Sequence, residues 1–103
     1  MPRNYVLTKG AVGDLKEIVR YTNEQWGEAQ CRLYTRQLEE AASALAKGEG
    51  IFKDMSALHP HMRMIKSGAH YIFCLNRPDT IPAVLAIFHE RMDIMARLKN
   101  RLT

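Results

Sequence analysis

The chain has only two cysteines, Cys31 and Cys74, in 103 residues, and they lie in helix-like and strand-like apolar contexts. A disulfide-stapled secreted framework is thereby excluded, and both thiols are expected to be reduced, buried and small. A reactive thiol needs an electropositive, partly exposed setting, which the local sequence does not supply. Long hydrophobic runs are absent too: no segment approaches the length of a membrane span, and the opening MPRNYVLTKG lacks the apolar core of a signal peptide. No membrane partner is expected, and the location implied is the cytoplasm. There is no glycine-rich phosphate loop, no dinucleotide fingerprint, no internal repeat and no low-complexity stretch. Metal-ligating residues are equally sparse. The HPH at 59–61 offers two imidazoles without acidic or cysteine partners at ligand spacing, so it reads as a polar turn around Pro60. No metal and no cofactor are expected.

What is present is one domain, residues 1–103, with a core large enough for a stability of roughly 5 to 15 kcal/mol. Charge is unevenly placed. Residues 1–60 carry eight Lys/Arg against eight Asp/Glu, and residues 61–103 carry seven against three, so the whole +4 lies in the second part. Such asymmetry points to an acidic or phosphate-bearing partner that meets one face.

Asn4 to Leu7 reads as a short strand and Thr8 as an N-cap. Leu15, Ile18, Val19, Thr22 and Trp26 then form one helical stripe, which Gly27 ends. A second helix from about Glu28 to Lys47 turns Tyr34, Leu38, Ala41, Ala42 and Leu45 inward, with Gly48 as its C-cap. So short a break forces the two helices into an antiparallel hairpin. Residues 49–60 have no sustained period and are expected as an ordered connection pinned by Ile51, Phe52, Met55 and Leu58.

Three strands follow, Met62 to Lys66, His70 to Asn76 and Pro82 to His89, separated by Ser67-Gly68 and Arg77-Pro78-Asp79 turns. Short separations make them antiparallel neighbours. In the last two, apolar side chains fill both alternating sets: Tyr71, Phe73 and Leu75 against Ile72 and Cys74, and Val84, Ala86 and Phe88 against Leu85 and Ile87. Both faces therefore need cover, and the hairpin can cover only one. The chain's own tail or a partner must cover the other. As a helix, the tail sets Ile94, Met95, Leu98 and Leu102 on one side and Arg97, Asn100 and Arg101 on the opposite one. Methionines at 55, 62 and 64 suit either an adaptable binding surface or an irregular core.

The order strand, helix, helix and three strands resembles the fold of the RelE/ParE toxin superfamily. YTNEQWG (21–27), GEGIFKDMSALHPHMRM (48–64), HYIFCL (70–75) and AIFHERMDIMARLKNRL (86–102) are similar, in order and spacing, to plasmid-type ParE proteins. The resemblance implies an α+β fold, a helical hairpin on a mainly antiparallel sheet with a short C-terminal helical tail. It also implies a type II toxin that poisons DNA gyrase, blocks replication and contributes to plasmid maintenance. A ParD-type antitoxin that folds onto the toxin would neutralise it, giving the doubly apolar sheet its cover at Met62, Met64, Ile72, Cys74, Leu85 and Ile87. A homodimer or a toxin–antitoxin heterotetramer is compatible with this.

Beside a toxin that acts by binding stand two alternatives, a RelE-like mRNA endoribonuclease on the same fold and an interaction module with no toxicity of its own. A ribonuclease needs a base or acid, a cation for the transition state and a stacking aromatic, types that Arg63, Tyr71, His89 and Arg91 supply, with His70 and Asp93 close in sequence. The same residues can form a hydrogen-bonded corner with no chemistry, which is the commoner use of such groups. The ParE resemblance favours a protein that acts by binding, not an enzyme. For target engagement it singles out Arg91, Met92, Arg97, Lys99 and Arg101, although charge alone would equally describe a solvated face. Neither a recognition-helix module nor a basic arm with interleaved aromatics is present for direct DNA reading.

Overall fold

A computed structural model describes residues 4–102. A five-stranded sheet is built from β1 (Val6–Leu7), β2 (Lys53–Asp54), β3 (Met62–Ser67), β4 (His70–Leu75) and β5 (Ala83–His89), in the order β1-β5-β4-β3-β2. Only the β1–β5 pair is parallel. A long helical element, α1 (Lys9–Lys47), packs on one face, and a short helix, α2 (Ile94–Leu102), follows β5.

The helical element is the expected hairpin. Gly27 interrupts it at φ 85° and ψ 172°, a conformation essentially restricted to glycine, and leaves limbs 9–26 and 28–47. The limbs run back along each other, since the Cys31 thiol donates to the carbonyl of Val19 at 3.4 Å. Thr8 caps the start, its hydroxyl accepting from Ala11 N–H at 3.3 Å. Gly48 closes the end in the left-handed region, with its N–H on Leu45 and that of Glu49 on Ala44.

The sheet is buried on both faces. Ile18, Leu38, Ala42 and Leu45 of α1 lie on Ile72, Cys74, Val84 and Ile87. Beneath, Met62, Phe73, Leu75, Leu85, Ala86 and Phe88 surround Leu98 of α2, with Met55, Leu58, Ile94 and Leu102 closing the rim. The chain's own tail and connection therefore cover the second face, and the expectation that a partner does so is corrected. Other inward assignments also change. Trp26 is 70% exposed because the hairpin tip, residues 23–30, extends beyond the sheet. Val19 and Met95 are exposed, and Ile51, expected as a pin of the connection, stands in solvent. The connection also contains the edge strand β2, paired through Lys53 and Asp54 with Met64 and Arg63.

Strict alternation fails in β5. Phe73 pairs with Ala86 and Cys74 with Val84, leaving Leu85 as an extra residue. This bulge puts Leu85 and Ala86 on the same face, beneath the sheet, and restores Ile87 to the α1 side.

Candidate functional site

The tail exposes more positive than negative charge. Arg91, Met92, Asp93, Arg97, Lys99 and Asn100 are all exposed, and Leu98 is fully buried between two of the cations. A nine-residue helix is too short to persist alone in water, so its order comes from docking. The surface it offers is cationic, with Arg97 and Lys99 on the two flanks of the buried Leu98 and Arg91 and Met92 exposed before the helix.

Arg101 is not one of these exposed cations. Its guanidinium turns inward and grips Asp14 of α1 through both carboxylate oxygens, at 2.9 and 2.7 Å. It also donates to Leu85 O at 3.1 Å and lies over the Phe88 ring at 5.0 Å. The assignment of Arg101 to a target surface is corrected accordingly: an aromatic face, a carbonyl and a carboxylate already use its donors. The Asp14 hydrogen bond raises its pKa further above the ordinary arginine range. The Asp14 carboxylate also accepts from Ile87 N–H at 2.9 Å, while the Thr8 hydroxyl lies 3.0 and 3.1 Å from the carbonyls of Val84 and Leu85. β1 pairs only with Ala83 and Val84, so these side chains satisfy β5 backbone groups beyond the end of β1. Sequence reasoning missed Asp14 and also Gly10, where a Cβ would stand 2.6 Å from Arg101 Nη1. Their available signal was a carboxylate inside an apolar helical stripe and a glycine in a first helical turn.

The residues that could serve a ribonuclease are not gathered. His70 and His89 pair across β4 and β5 on the α1 face, with ring centroids 5.1 Å apart. Tyr71 lies on the opposite face, where Lys66 approaches its ring. Arg63 is opposite Cys74, four residues along β4 from His70, a separation of about 13 Å. Its guanidinium is stacked over Phe52 instead. Arg91 is exposed, and its N–H donates to His89 Nδ1 at 3.1 Å. The Tyr34 hydroxyl accepts from Ala69 N–H at 3.0 Å and meets His70 Nδ1 at 2.5 Å. Burial, helped by the neighbouring His89, lowers the His70 pKa to about 4, so this imidazole is neutral at physiological pH, and the phenol also reaches the Ser67 carbonyl at 3.4 Å. The cluster is a hydrogen-bonded corner, and Lys66, on the Tyr71 side, pairs with Glu90 at 2.9 Å.

The residues expected to bind an antitoxin lie in the core. Ile72, Cys74 and Ile87 are covered by α1, and Met62 and Leu85 are buried around Leu98; Met64 alone is half-open. Burial pushes the Cys74 thiol up to about 11, so it is inert. Open apolar surface occurs elsewhere, in a groove of about 400 Å³ lined by Leu7, Val12, Leu15, Lys16, Val19 and Arg20. A more polar cavity of about 530 Å³ is lined by Phe52, Asp54, Ser56, His61, Arg63 and Asn76 among others. Among the described residues no group of three or more His, Cys, Asp or Glu is placed to hold a metal, and no helix is long and apolar enough to cross a membrane.

A two-limbed helix over a five-stranded mixed sheet, with a short tail helix on the far face, defines a toxin fold of the RelE/ParE type. The family model described as "ParE toxin of type II toxin-antitoxin system, parDE" matches residues 5–94, and the chain belongs to that family. It is 52% identical over 98 residues to Toxin ParE of Escherichia coli, a match spanning 95% of each chain. It is 29% identical over 94 residues to Toxin ParE1 of Mycobacterium tuberculosis (strain CDC 1551 / Oshkosh), which covers 91% of this chain and 96% of that protein. Toxin ParE1 of Caulobacter vibrioides is 28% identical over a similar span.

Proposed function

We propose that this toxin acts by binding DNA gyrase and trapping it on cleaved DNA, thereby blocking replication, and that a ParD-type antitoxin silences it. The carrying observation is the exposed cationic tail, Arg91, Arg97 and Lys99 with Met92, held on a domain whose catalytic-looking groups are dispersed over two faces of the sheet. A surface of this kind suits an acidic protein face or DNA phosphates held by the enzyme. The family description, which pairs toxin with antitoxin, supports the second half of the reading. For the antitoxin we assign the open groove on the first limb of α1. Val12 and Val19 stay about one-third exposed there, and Val6 of the edge strand beside them is about half-exposed. An amphipathic segment laid along this groove would bury them. In this role the chain contributes to plasmid maintenance from the cytoplasm without catalysing a reaction of its own.

The test is a cleavage assay with purified protein, gyrase, ATP and supercoiled plasmid. Linear, protein-linked DNA should accumulate and should vanish when antitoxin is added first. Supercoiling that proceeds unaltered at micromolar toxin removes gyrase as the target.

A further inference from the structure

Two residues in the first turns of α1 are poorly explained by that helix alone. Glycine disfavours a helix relative to alanine, yet Gly10 occupies the first turn without needing a left-handed backbone. Asp14 is a charged residue only 15% exposed, between the core residues Ala11 and Ile18. One partner far along the chain accounts for both. A Cβ on Gly10 would stand 2.6 Å from Arg101 Nη1, 2.8 Å from Cζ and 2.9 Å from Nε, so the missing side chain is the space in which the guanidinium lies. Asp14 then holds that guanidinium by two hydrogen bonds in the bidentate geometry that arginine and carboxylate favour.

We propose that Asp14, using the space left at Gly10, is a positioning residue that latches the basic tail and so fixes the direction in which its cations face. This deepens the proposed function and rests on the reading that the tail meets the target. Two features of α2 carry the inference. Leu98 is its one fully buried residue, with Ile94 and Leu102 only partly covered, so a single apolar anchor holds the middle of the helix. Arg101 supplies the second anchor near the end, and two anchors fix both position and rotation where one does not. Arg97 and Lys99 flank Leu98 in sequence, so the same two anchors set where both cations point. A loosened tail would carry identical charges but would lose ordering entropy on every encounter.

Two variants separate displacement from loss of charge. Gly10→Ala keeps every charge and favours the helix, but its methyl displaces the flexible guanidinium. Asp14→Asn removes the charge and leaves an oxygen for Ile87 N–H. In both, amide hydrogen exchange over residues 95–102 should accelerate about ten-fold or more, as expected for losing charge-assisted bonds, while β3 and β4 stay protected. Gyrase poisoning should weaken with antitoxin affinity unchanged, and Arg101→Lys should retain only part of the parent's protection, because an ammonium cannot form the two-pronged contact. A tail as protected as in the parent protein overturns the latch. A released tail with undiminished poisoning overturns its positioning role. Faster exchange throughout the sheet, with an equal loss of antitoxin affinity, would mark Asp14 as a fold residue only and overturn the proposal as well. Should the parent protein leave gyrase untouched, the proposed function fails, while the exchange comparison still decides whether the latch exists.

Discussion

His70 shows how a single side chain ties stability to pH. It packs beside Tyr34 and His89, and burial holds its pKa at about 4 against the ordinary 6.5. The His89 charge lowers it further, while Glu90 and Asp14 pull the other way. The unfolded chain takes up this proton near 6.5 and the folded chain resists until about 4. Between those values the unfolded state holds more protons, so stability falls as pH falls. The contribution is whole above 6.5 and lost as pH drops towards about 4. Protonation also fixes a hydrogen on both ring nitrogens, so Nδ1 can then only donate to the Tyr34 hydroxyl. Urea midpoints should therefore decline from pH 7 to pH 5, and His70→Gln, which keeps an acceptor without titrating, should flatten the decline. Identical slopes for the two proteins would place the pH sensitivity elsewhere.

At the scale of elements, the hairpin depends on one backbone angle. Gly27 has φ 85° and ψ 172°, and a Cβ there meets open space, so the obstacle to another residue is conformational and not a clash. Gly27→Ala should destabilise the domain by about 1 to 3 kcal/mol, the usual cost of holding a side-chain-bearing residue in such a region, readable as a shift in the denaturant midpoint. An unchanged midpoint would mean that the limbs tolerate a different turn. This break was legible in the sequence, as were the Thr8 and Gly48 caps and the three long strands to within a residue, because local chemistry writes them. Contacts across the chain were not. The bulge at Leu85 escapes periodicity because both alternating sets of β5 are apolar, so a slip of phase leaves no trace. Reading the tail as an isolated amphipathic helix sent Arg101 to solvent, and its true partner lies 87 residues away. Trp26 fitted the helical stripe, but periodicity does not say where the sheet beneath a helix stops.

For the whole molecule, the two surfaces proposed for target and antitoxin lie on different parts of the domain, so their effects should be separable. The tail cations project from the helix after β5, whereas the apolar groove runs along the first limb of α1 beside β1. Reversing Arg97 and Lys99 together to glutamate should weaken gyrase poisoning and its salt dependence, with folding intact because both side chains are exposed. Binding of antitoxin, measured by calorimetry, should be unaffected. The reciprocal change is Val19→Glu. Val19 is already 37% exposed, so a carboxylate there remains hydrated in the free toxin and should cost little stability. Under an apolar antitoxin segment the same carboxylate would be stripped of water, with Arg20 already paired to Glu17 and Glu24 and Lys16 the other cation lining the groove. Antitoxin affinity should fall at least about ten-fold, or about 1.4 kcal/mol, while poisoning by the free toxin persists. A Val19→Glu toxin that is still neutralised at the parent concentration would move the antitoxin to another face, and the half-open Met64 beside the edge strand β2 would be the next surface to challenge.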